Sequence, residues 1–251
     1  MLRIEGLTIR FGNLSALDEL SLSAEAGSRC GVIGPNGSGK TTLFNLISGF
    51  YVPTAGRIEW EGRDITGLVA HQVARRAVAR TFQNPRLFDR LTVFQTVWAA
   101  RWAGSAGWTT GLLREWRRRG EQREAVQQLL AETGLAARAT ALATELTLAE
   151  RRRLELARAV AGAPRLLLLD EPAGGMTPAE TADLAGIIRK VALPGRTVLI
   201  IEHKLDLIAS LCERLYVLNF GRKICEGAPA DVLHDPAVLE AYLGQDEADE
   251  V

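Results

Sequence analysis

Cysteine, net charge and long apolar runs are all scarce in this chain of 251 residues. Its three cysteines are odd in number and lack C-x-x-C spacing, which argues against a disulfide framework or a zinc site and favours a reducing compartment. Thirty Lys and Arg balance thirty Asp and Glu, so the field that attracts nucleic acid is missing. No apolar run reaches the roughly 18 residues of a membrane span, and Met1–Glu5 has no signal-peptide core.

Lysine is scarce as well, because only four of the thirty basic residues are lysines: Lys40, Lys190, Lys204 and Lys223. Hydrophobic residues at 47% and charged residues at 24% are typical of globular proteins. The length fits one large domain, or a core domain that carries a subdomain.

Two kinds of strand pattern occur. Alternating apolar and polar residues, typical of antiparallel strands with one exposed face, occupy 2–11, 17–25 and 57–61. Short, almost continuous apolar stretches, typical of central parallel strands, occupy 30–33, 166–169 and 197–201. The first sixty residues are therefore rich in antiparallel strands, and the later stretches predict a buried parallel sheet.

Helical periodicity replaces the strand signals between about residues 85 and 160. It covers 93–103, 121–133 and 148–161. These patterns predict an α/β fold with an N-terminal antiparallel β subdomain and an inserted α-helical subdomain. The predicted division is a core of residues 1–84 and 162–244, an insert of 85–161, and an acidic tail of 245–251.

One segment carries a phosphate-binding motif. Residues 34–41 fit G-x-x-x-x-G-K-[ST] and extend to a second threonine; the segment reads Gly34, Pro35, Asn36, Gly37, Ser38, Gly39, Lys40, Thr41 and Thr42. Backbone N–H groups of such a loop curl around a phosphate, and the helix that follows adds its positive end. Lys40 would neutralise the β- and γ-phosphates and the Thr41 hydroxyl would bind Mg²⁺. The motif predicts a nucleoside triphosphate site, since it follows a buried strand and opens an amphipathic helix.

Two acids and a histidine follow other predicted strands. Asp170 and Glu171 end the stretch 166–169, at the carboxyl end where open α/β sheets bind ligands. Asp170 would hold Mg²⁺ through water, and Glu171 would deprotonate an attacking water. His203 follows the strand 197–201 and could hydrogen-bond a γ-phosphate.

Together these residues resemble the ATP-binding-cassette (ABC) ATPase family, a group of P-loop NTPases, over nearly the whole chain. The resemblance implies that Phe11 stacks on adenine, that Gln83 contacts Mg²⁺ and the attacking water, and that His203 is the switch histidine. It also implies that residues 173–178 form the D-loop. The implied catalytic residues are Glu171, His203, Gln83 and Lys40, and the cofactors are ATP and Mg²⁺.

Further motifs indicate which group within the family the chain resembles. Four segments are similar to the ATPase subunits of branched-chain amino acid importers: residues 80–88, 101–120, 152–159 and the ending 241–244. More distantly, they are similar to those for urea or short-chain amides. This implies a subunit on the cytoplasmic face of the membrane. Its partners would be a second ATPase, identical or different, two transmembrane permeases and an external solute-binding protein.

The signature loop departs from the family pattern. Where the family has Leu-Ser-Gly-Gly-Gln, this chain has Leu146, Thr147, Leu148, Ala149 and Glu150. The resemblance implies that this loop faces the ATP of the partner ATPase. We expect Ala149 to be strained if it needs glycine-like backbone angles, and Thr147 with Glu150 to form a capping box. The sequence therefore predicts an asymmetric dimer in which the signature of this chain supports a weakened site.

Two other functions remain open. A nucleotide-binding regulatory ABC subunit with impaired turnover is suggested by Ala149, although Glu171, Gln83 and His203 are all present. A soluble, non-transport ABC ATPase would usually have two cassettes or a long coiled coil, and neither is found in this sequence. A separate hypothesis concerns Trp98, Trp102, Trp108 and Trp116 with residues 117–119, which form either a membrane or permease contact or an ordinary packed helix.

Overall fold

The computed structural model describes residues 1–104 and 112–246. An antiparallel sheet in the order β2-β1-β4-β5 forms from the N-terminal segment. Its strands are β1 (Leu2–Phe11), β2 (Leu14–Ala24), β4 (Ala55–Trp60) and β5 (Arg63–Asp64). The alternating patterns are confirmed, and β1 is irregular where its pairing with β2 shifts register between Ile4 and Arg10.

A second sheet has the order β10-β9-β3-β8-β7-β6. Its strands are β3 (Arg29–Ile33), β6 (Val78–Arg80), β7 (Leu166–Asp170), β8 (Thr197–Ile201), β9 (Arg214–Asn219) and β10 (Arg222–Gly227). All neighbours are parallel except β10 and β9. Since β3, β8 and β7 are adjacent, their carboxyl ends meet at one edge of the sheet.

The apolar run of β7 serves both faces of this sheet. Leu166 and Leu168 pack into one core cluster with the antiparallel sheet, and Leu167 and Leu169 pack into a second cluster on the opposite face. Successive side chains of a strand point to opposite faces, so a strand buried on both sides needs a continuous apolar run.

Helices cover both faces of the central sheet. They are α1 (Lys40–Ile47), α2 (Ala70–Ala74), α3 (Val93–Gly104), α4 (Leu112–Glu132), α5 (Leu148–Ala161), α6 (Pro178–Ile187), α7 (Leu205–Leu211), α8 (Pro229–Val232) and α9 (Pro236–Asp246). A π-helical segment, Ile188–Ala192, continues α6. Thr177 caps α6, and Pro178 is its first residue, a position that suits a residue without an N–H.

The predicted helices of the insert are confirmed, and α4 begins nine residues before its predicted start at 121. Helices α3, α4 and α5 enclose a third core cluster. Helix α5 also joins the second cluster through Leu156 and Ala159. Trp98 stacks on Phe94 at 5.7 Å between ring centroids. The side chains of Trp102, Trp108, Trp116 and residues 117–119 lie outside the described residues, so the contact surface predicted there stays a prediction.

All three cysteines are free thiols; Cys30 and Cys212 are buried and Cys225 is half-buried. No helix within residues 1–104 and 112–246 is both long enough and apolar enough to span a bilayer.

Candidate nucleotide site

The phosphate loop connects β3 to α1 and closes on its own lysine. Lys40 Nζ donates to the carbonyl oxygens of Gly34 and Pro35, both at 2.7 Å, and lies 3.4 Å from Ser38 Oγ. Burial lowers the pKa of Lys40 from 10.5 to about 8, while the charges of Glu171 and Asp170 act in the opposite direction. The lysine is therefore held in the loop at the point where a phosphate would be bound.

Glycine is required at the last turn before α1. Gly39 has a φ of +102°, in the left-handed region, and a Cβ there would lie 2.7 Å from the carbonyl oxygen of Ala16. The strand β2 therefore passes so close to the loop that only hydrogen fits at this position.

A cavity of about 350 Å³ opens in front of the loop. Ten predicted site residues line it: Asn36, Gly37, Ser38, Gly39, Lys40, Thr41, Thr42, Gln83, Glu171 and His203. Leu14, Ser15, Ala16 and Phe220 also line it and were not predicted. The structure thus brings together predicted residues that are up to 167 positions apart in the sequence.

Glu171 is held between Gln83 and His203. Gln83 Nε2 donates to Glu171 Oε2 at 2.8 Å, and His203 Nε2 lies 2.9 Å from Glu171 Oε1. The backbone of Glu171 has a φ of +46°, an uncommon conformation for a residue with a side chain. Strained backbone at a group that faces a cavity is typical of a functional site.

Asp170 forms a buried ion pair that the sequence analysis missed. Arg80 Nη2 donates to Asp170 Oδ2 at 2.7 Å, and Arg80 Nη1 donates to Asn45 and Ser48. The guanidinium also lies within 6 Å of the ring centroids of three phenylalanines: Phe44, Phe50 and Phe82. Burial raises the pKa of Asp170, and the hydrogen bond and charge of Arg80 oppose that effect. The only indication of this ion pair in the sequence was an arginine at the end of a short apolar strand.

The second carboxylate oxygen of Asp170, Oδ1, lacks the hydrogen bond that Oδ2 accepts from Arg80. Oδ1 is buried and has no hydrogen-bond partner among the described residues. Those residues also contain no group of three or more His, Cys, Asp or Glu side chains that could hold a metal. An unpartnered carboxylate oxygen beside a phosphate loop fits Mg²⁺, which keeps several waters and takes few protein ligands.

The D-loop is held by a residue that the sequence analysis passed over. Glu202, only 3% exposed, accepts the Ala173 N–H at 2.7 Å and the His203 N–H at 3.1 Å. Lys204 Nζ donates to the Met176 carbonyl at 2.9 Å. The segment that follows β8 therefore supplies His203 and also the groups that fix the segment after Glu171.

Side chains of helix α5 form hydrogen bonds with the segment that carries Gln83. Glu155 Oε1 accepts the Phe82 N–H at 2.9 Å, and Arg152 Nη1 donates to the Phe82 carbonyl at 3.2 Å. Arg152 Nη2 also donates to the Gly174 carbonyl at 3.2 Å. The helix that begins at the signature segment is thus bonded to the backbone beside Gln83 and to the D-loop.

The expectation of strain at Ala149 is wrong. Ala149 lies in the first turn of α5, is absent from the residues of positive φ, and is only 7% exposed because it packs in the second core cluster. The capping box is confirmed: Thr147 Oγ1 accepts the Glu150 N–H at 3.3 Å, and Glu150 Oε2 accepts the Thr147 N–H at 2.9 Å. Leu148 is 45% exposed, while Leu146 is buried.

Phe11 lies at the end of β1 and does not line the cavity. The residue is 47% exposed, and its ring meets that of Tyr51 edge to face, with ring centroids 5.3 Å apart. Its contact with adenine stays a prediction. Gly34 and Pro35 do not line the cavity either, because their backbone carbonyls face Lys40.

Comparison with known proteins assigns the chain to a family. The model of the family described as ABC transporter matches residues 17–174. The high-affinity branched-chain amino acid transport ATP-binding protein BraF of Pseudomonas aeruginosa (strain PAO1) is 40% identical over 250 residues, which cover 98% of each chain. The chain belongs to the ABC transporter family.

Further comparisons support the assignment to the ABC family. LivG of Escherichia coli (strain K12), a protein with the same descriptive name as BraF, is 38% identical over 98% of each chain. A crystal structure of the ADP conformation of an ATP-binding cassette of an ABC transporter matches with a TM-score of 0.83 and 31% identity. The match covers 97% of this chain and 98% of the other. A second model, described as branched-chain amino acid ATP-binding cassette transporter, matches residues 222–248 of this ABC protein. The predicted P-loop ABC ATPase fold is confirmed.

Proposed function

We propose that this chain is the ATP-binding and ATP-hydrolysing subunit of an importer for branched-chain amino acids or related small solutes. The observation that carries the proposal is the position of Glu171, which faces the phosphate-loop cavity between Gln83 and His203. The curated relatives at 38–40% identity are named for branched-chain amino acid transport, and they support the solute class.

The hydrolytic roles follow from these contacts. Glu171 accepts a proton from a water, the water oxygen attacks the γ-phosphorus, and the bond to the bridging oxygen of ADP breaks. Gln83 and His203 orient the Glu171 carboxylate, one at each oxygen. The His203 ring lines the same cavity, where it would sense the γ-phosphate. Lys40 neutralises charge on the β- and γ-phosphates. Backbone N–H groups of residues 36–42 bind the phosphates, Gly34 and Pro35 hold Lys40 through their carbonyl oxygens, and Phe11 stacks on the base.

Mg²⁺ is the cation that these residues fit. The Thr41 hydroxyl, the Gln83 side chain and, through water, the free Oδ1 of Asp170 would hold it. When bound, the ion neutralises phosphate charge. Arg80 would keep the other oxygen of Asp170 engaged, so that only Oδ1 faces the ion.

The partners are proposed from the same resemblance. They are a second ATPase subunit, two transmembrane permeases and an external solute-binding protein, with this chain on the cytoplasmic face of the membrane. Residues 1–84 and 162–244 act as the core, and residues 85–161 act as the insert that meets the permease. The distribution of the core clusters supports this division, although α5 belongs to both parts.

The signature segment Leu146–Glu150 is proposed to face the ATP bound by the partner ATPase. A carboxylate already occupies the amino end of α5, because Glu150 caps it and lies 3.4 Å from Arg138. A phosphate brought there would meet that negative charge, which the 40% exposed Arg138 offsets only in part. This observation favours an asymmetric dimer in which the site built on Lys40 and Glu171 turns over faster than the site that uses this signature.

The test is the variant Glu171→Gln. Loss of the general base should lower ATP turnover of the assembled complex at least about 100-fold while nucleotide affinity is retained. Glu5→Gln, a change at an exposed acid far from the cavity, is the matched control. Wild-type turnover in Glu171→Gln would refute the assignment, and wild-type protein that does not bind Mg-ATP would refute the whole proposal.

A further inference from the structure

The carboxyl-terminal helix α9 places a tyrosine hydroxyl on the first residue of the phosphate loop. The Gly34 N–H donates to Tyr242 Oη at 2.9 Å, across 208 positions of sequence. We propose that Tyr242 is a positioning residue for the phosphate loop, which fixes Gly34 and, through Gly34, the carbonyl that binds Lys40. The inference rests on the proposed binding of nucleotide by this loop.

Gly34 connects Tyr242 to the nucleotide site, so a small shift of its backbone would move Lys40. It follows β3 directly, and the last paired residue of that strand, Ile33, faces Val217 of β9. A Cβ at Gly34 would overlap the carbonyl oxygen of Leu218, so the backbone is packed tightly against β9. Its N–H bonds to Tyr242, and its carbonyl accepts from Lys40 Nζ at 2.7 Å. A change on the Tyr242 side therefore reaches the Lys40 anchor within one residue.

Tyr242 is itself held in place. Its ring packs against the second core cluster, together with Cys225 and Leu233, and Val238 of the same helix is only 2% exposed. Burial raises the pKa of Tyr242, so the hydroxyl keeps its proton and accepts the hydrogen bond as a neutral group. The hydroxyl is therefore fixed relative to the central sheet by the packing of its helix.

The hydroxyl matters because the Gly34 N–H lies just beyond the pairing of β3 with its neighbours. Without Tyr242 Oη, this backbone donor loses its acceptor, and a buried donor without a partner is costly. The loop would then occupy more conformations when empty, and nucleotide binding would have to order them. We expect the effect on nucleotide affinity and on KM rather than on the proton transfer at Glu171.

Tyr242→Phe tests the proposal, since it removes the hydroxyl and keeps the ring. In the full chain, Mg-ADP should bind roughly fivefold more weakly in calorimetric titration. Amide hydrogen exchange at Gly34 should be faster in the nucleotide-free variant, which a purely structural role of the ring would not produce. In the assembled complex, KM for ATP should rise while kcat changes by less than about twofold.

Tyr216→Phe is the matched control. The Tyr216 hydroxyl donates to the carbonyl of Ser23, away from the loop, and the ring is buried. Its Mg-ADP affinity and its Gly34 exchange should equal those of wild type. Equal affinity of wild type and Tyr242→Phe would overturn the inference alone. Failure of the wild-type chain to bind Mg-ADP would overturn the proposed function and this inference with it.

Discussion

Lys40 shows how one buried side chain can make nucleotide binding depend on pH. Its ammonium lies between the carbonyls of Gly34 and Pro35, and burial lowers its pKa to about 8. At pH 7 the group is charged, and above pH 8 it progressively loses its proton. A bound triphosphate favours the charged form, so binding above this pKa must be accompanied by proton uptake.

Affinity for Mg-ATP should therefore fall as pH rises through 8, by up to about tenfold per pH unit. Titration calorimetry of Glu171→Gln protein between pH 7 and 9.5, in two buffers of different ionisation enthalpy, would measure both the affinity and the proton uptake. The affinity of Lys40→Arg for Mg-ATP should be weaker. It should also be nearly independent of pH, because arginine keeps its charge over this range. The same pH dependence in both proteins would show that Lys40 is not the titrating group.

Single residues differ in how far the sequence reveals them. The phosphate loop was predictable because residues 34–42 are contiguous and fit a known phosphate-binding motif. Arg80, Glu202 and Tyr242 were not recognised as site residues, because their partners Asp170, Ala173 and Gly34 come from distant segments. Only the tertiary fold brings these residues together, through the pairing of strands and the packing of α9.

Among the elements, helix α5 connects the segment before Gln83 with the D-loop. Its buried Glu155 accepts the Phe82 N–H and pairs with Arg158 at 3.4 Å. Burial raises the pKa of Glu155 and lowers that of Arg158, and their opposite charges offset part of both effects. The segment before Gln83 is thus attached to a helix of the insert by a buried charge.

Glu155→Ala should lower the free energy of unfolding by about 3 kcal/mol, since it leaves the Phe82 N–H without its acceptor and Arg158 without its acidic partner. Urea denaturation would measure this loss. Asp183→Ala breaks an ion pair with Arg153 whose acid is 72% exposed, so it should cost less than about 1 kcal/mol. Similar costs for the two variants would mean that the Glu155 contacts contribute little.

Element boundaries were predictable where the pattern was long. Strands β1, β7 and β8 and helices α3 and α5 follow their periodicity closely. Strand β6 has three residues, too few for a pattern, and β10 alternates half-buried and exposed residues at the sheet edge without apolar regularity. The sequence analysis identified neither, nor the π-helical segment after α6, which depends on local packing.

At the scale of the whole molecule, the signature segment affects how ATP turnover would be divided between the two sites of an ATPase dimer. The structure removes strain at Ala149 as a reason for a weak site and leaves the Glu150 carboxylate at the amino end of α5. The inhibitory feature would then be a charge rather than a methyl group.

Glu150→Gln should raise the turnover of the assembled complex roughly threefold at low salt, and less at high salt. Glutamine keeps the capping box and removes the charge, so stability should change little. Ala149→Gly should leave turnover unchanged and lower stability, because glycine weakens a helix and the buried methyl is lost. Steady-state ATPase assays at two salt concentrations compare the three complexes. No gain in Glu150→Gln would contradict the electrostatic explanation.

The strand order β10-β9-β3-β8-β7-β6 has a consequence for biosynthesis. Both neighbours of β3 are translated more than 160 residues after it, since β8 begins at Thr197 and β9 at Arg214. While the ribosome makes the helical insert, the strand that leads into the phosphate loop has no hydrogen-bonded neighbour. Chains released before Thr197 would expose an unpaired apolar strand, and these are the products that chaperones and proteases should have to remove.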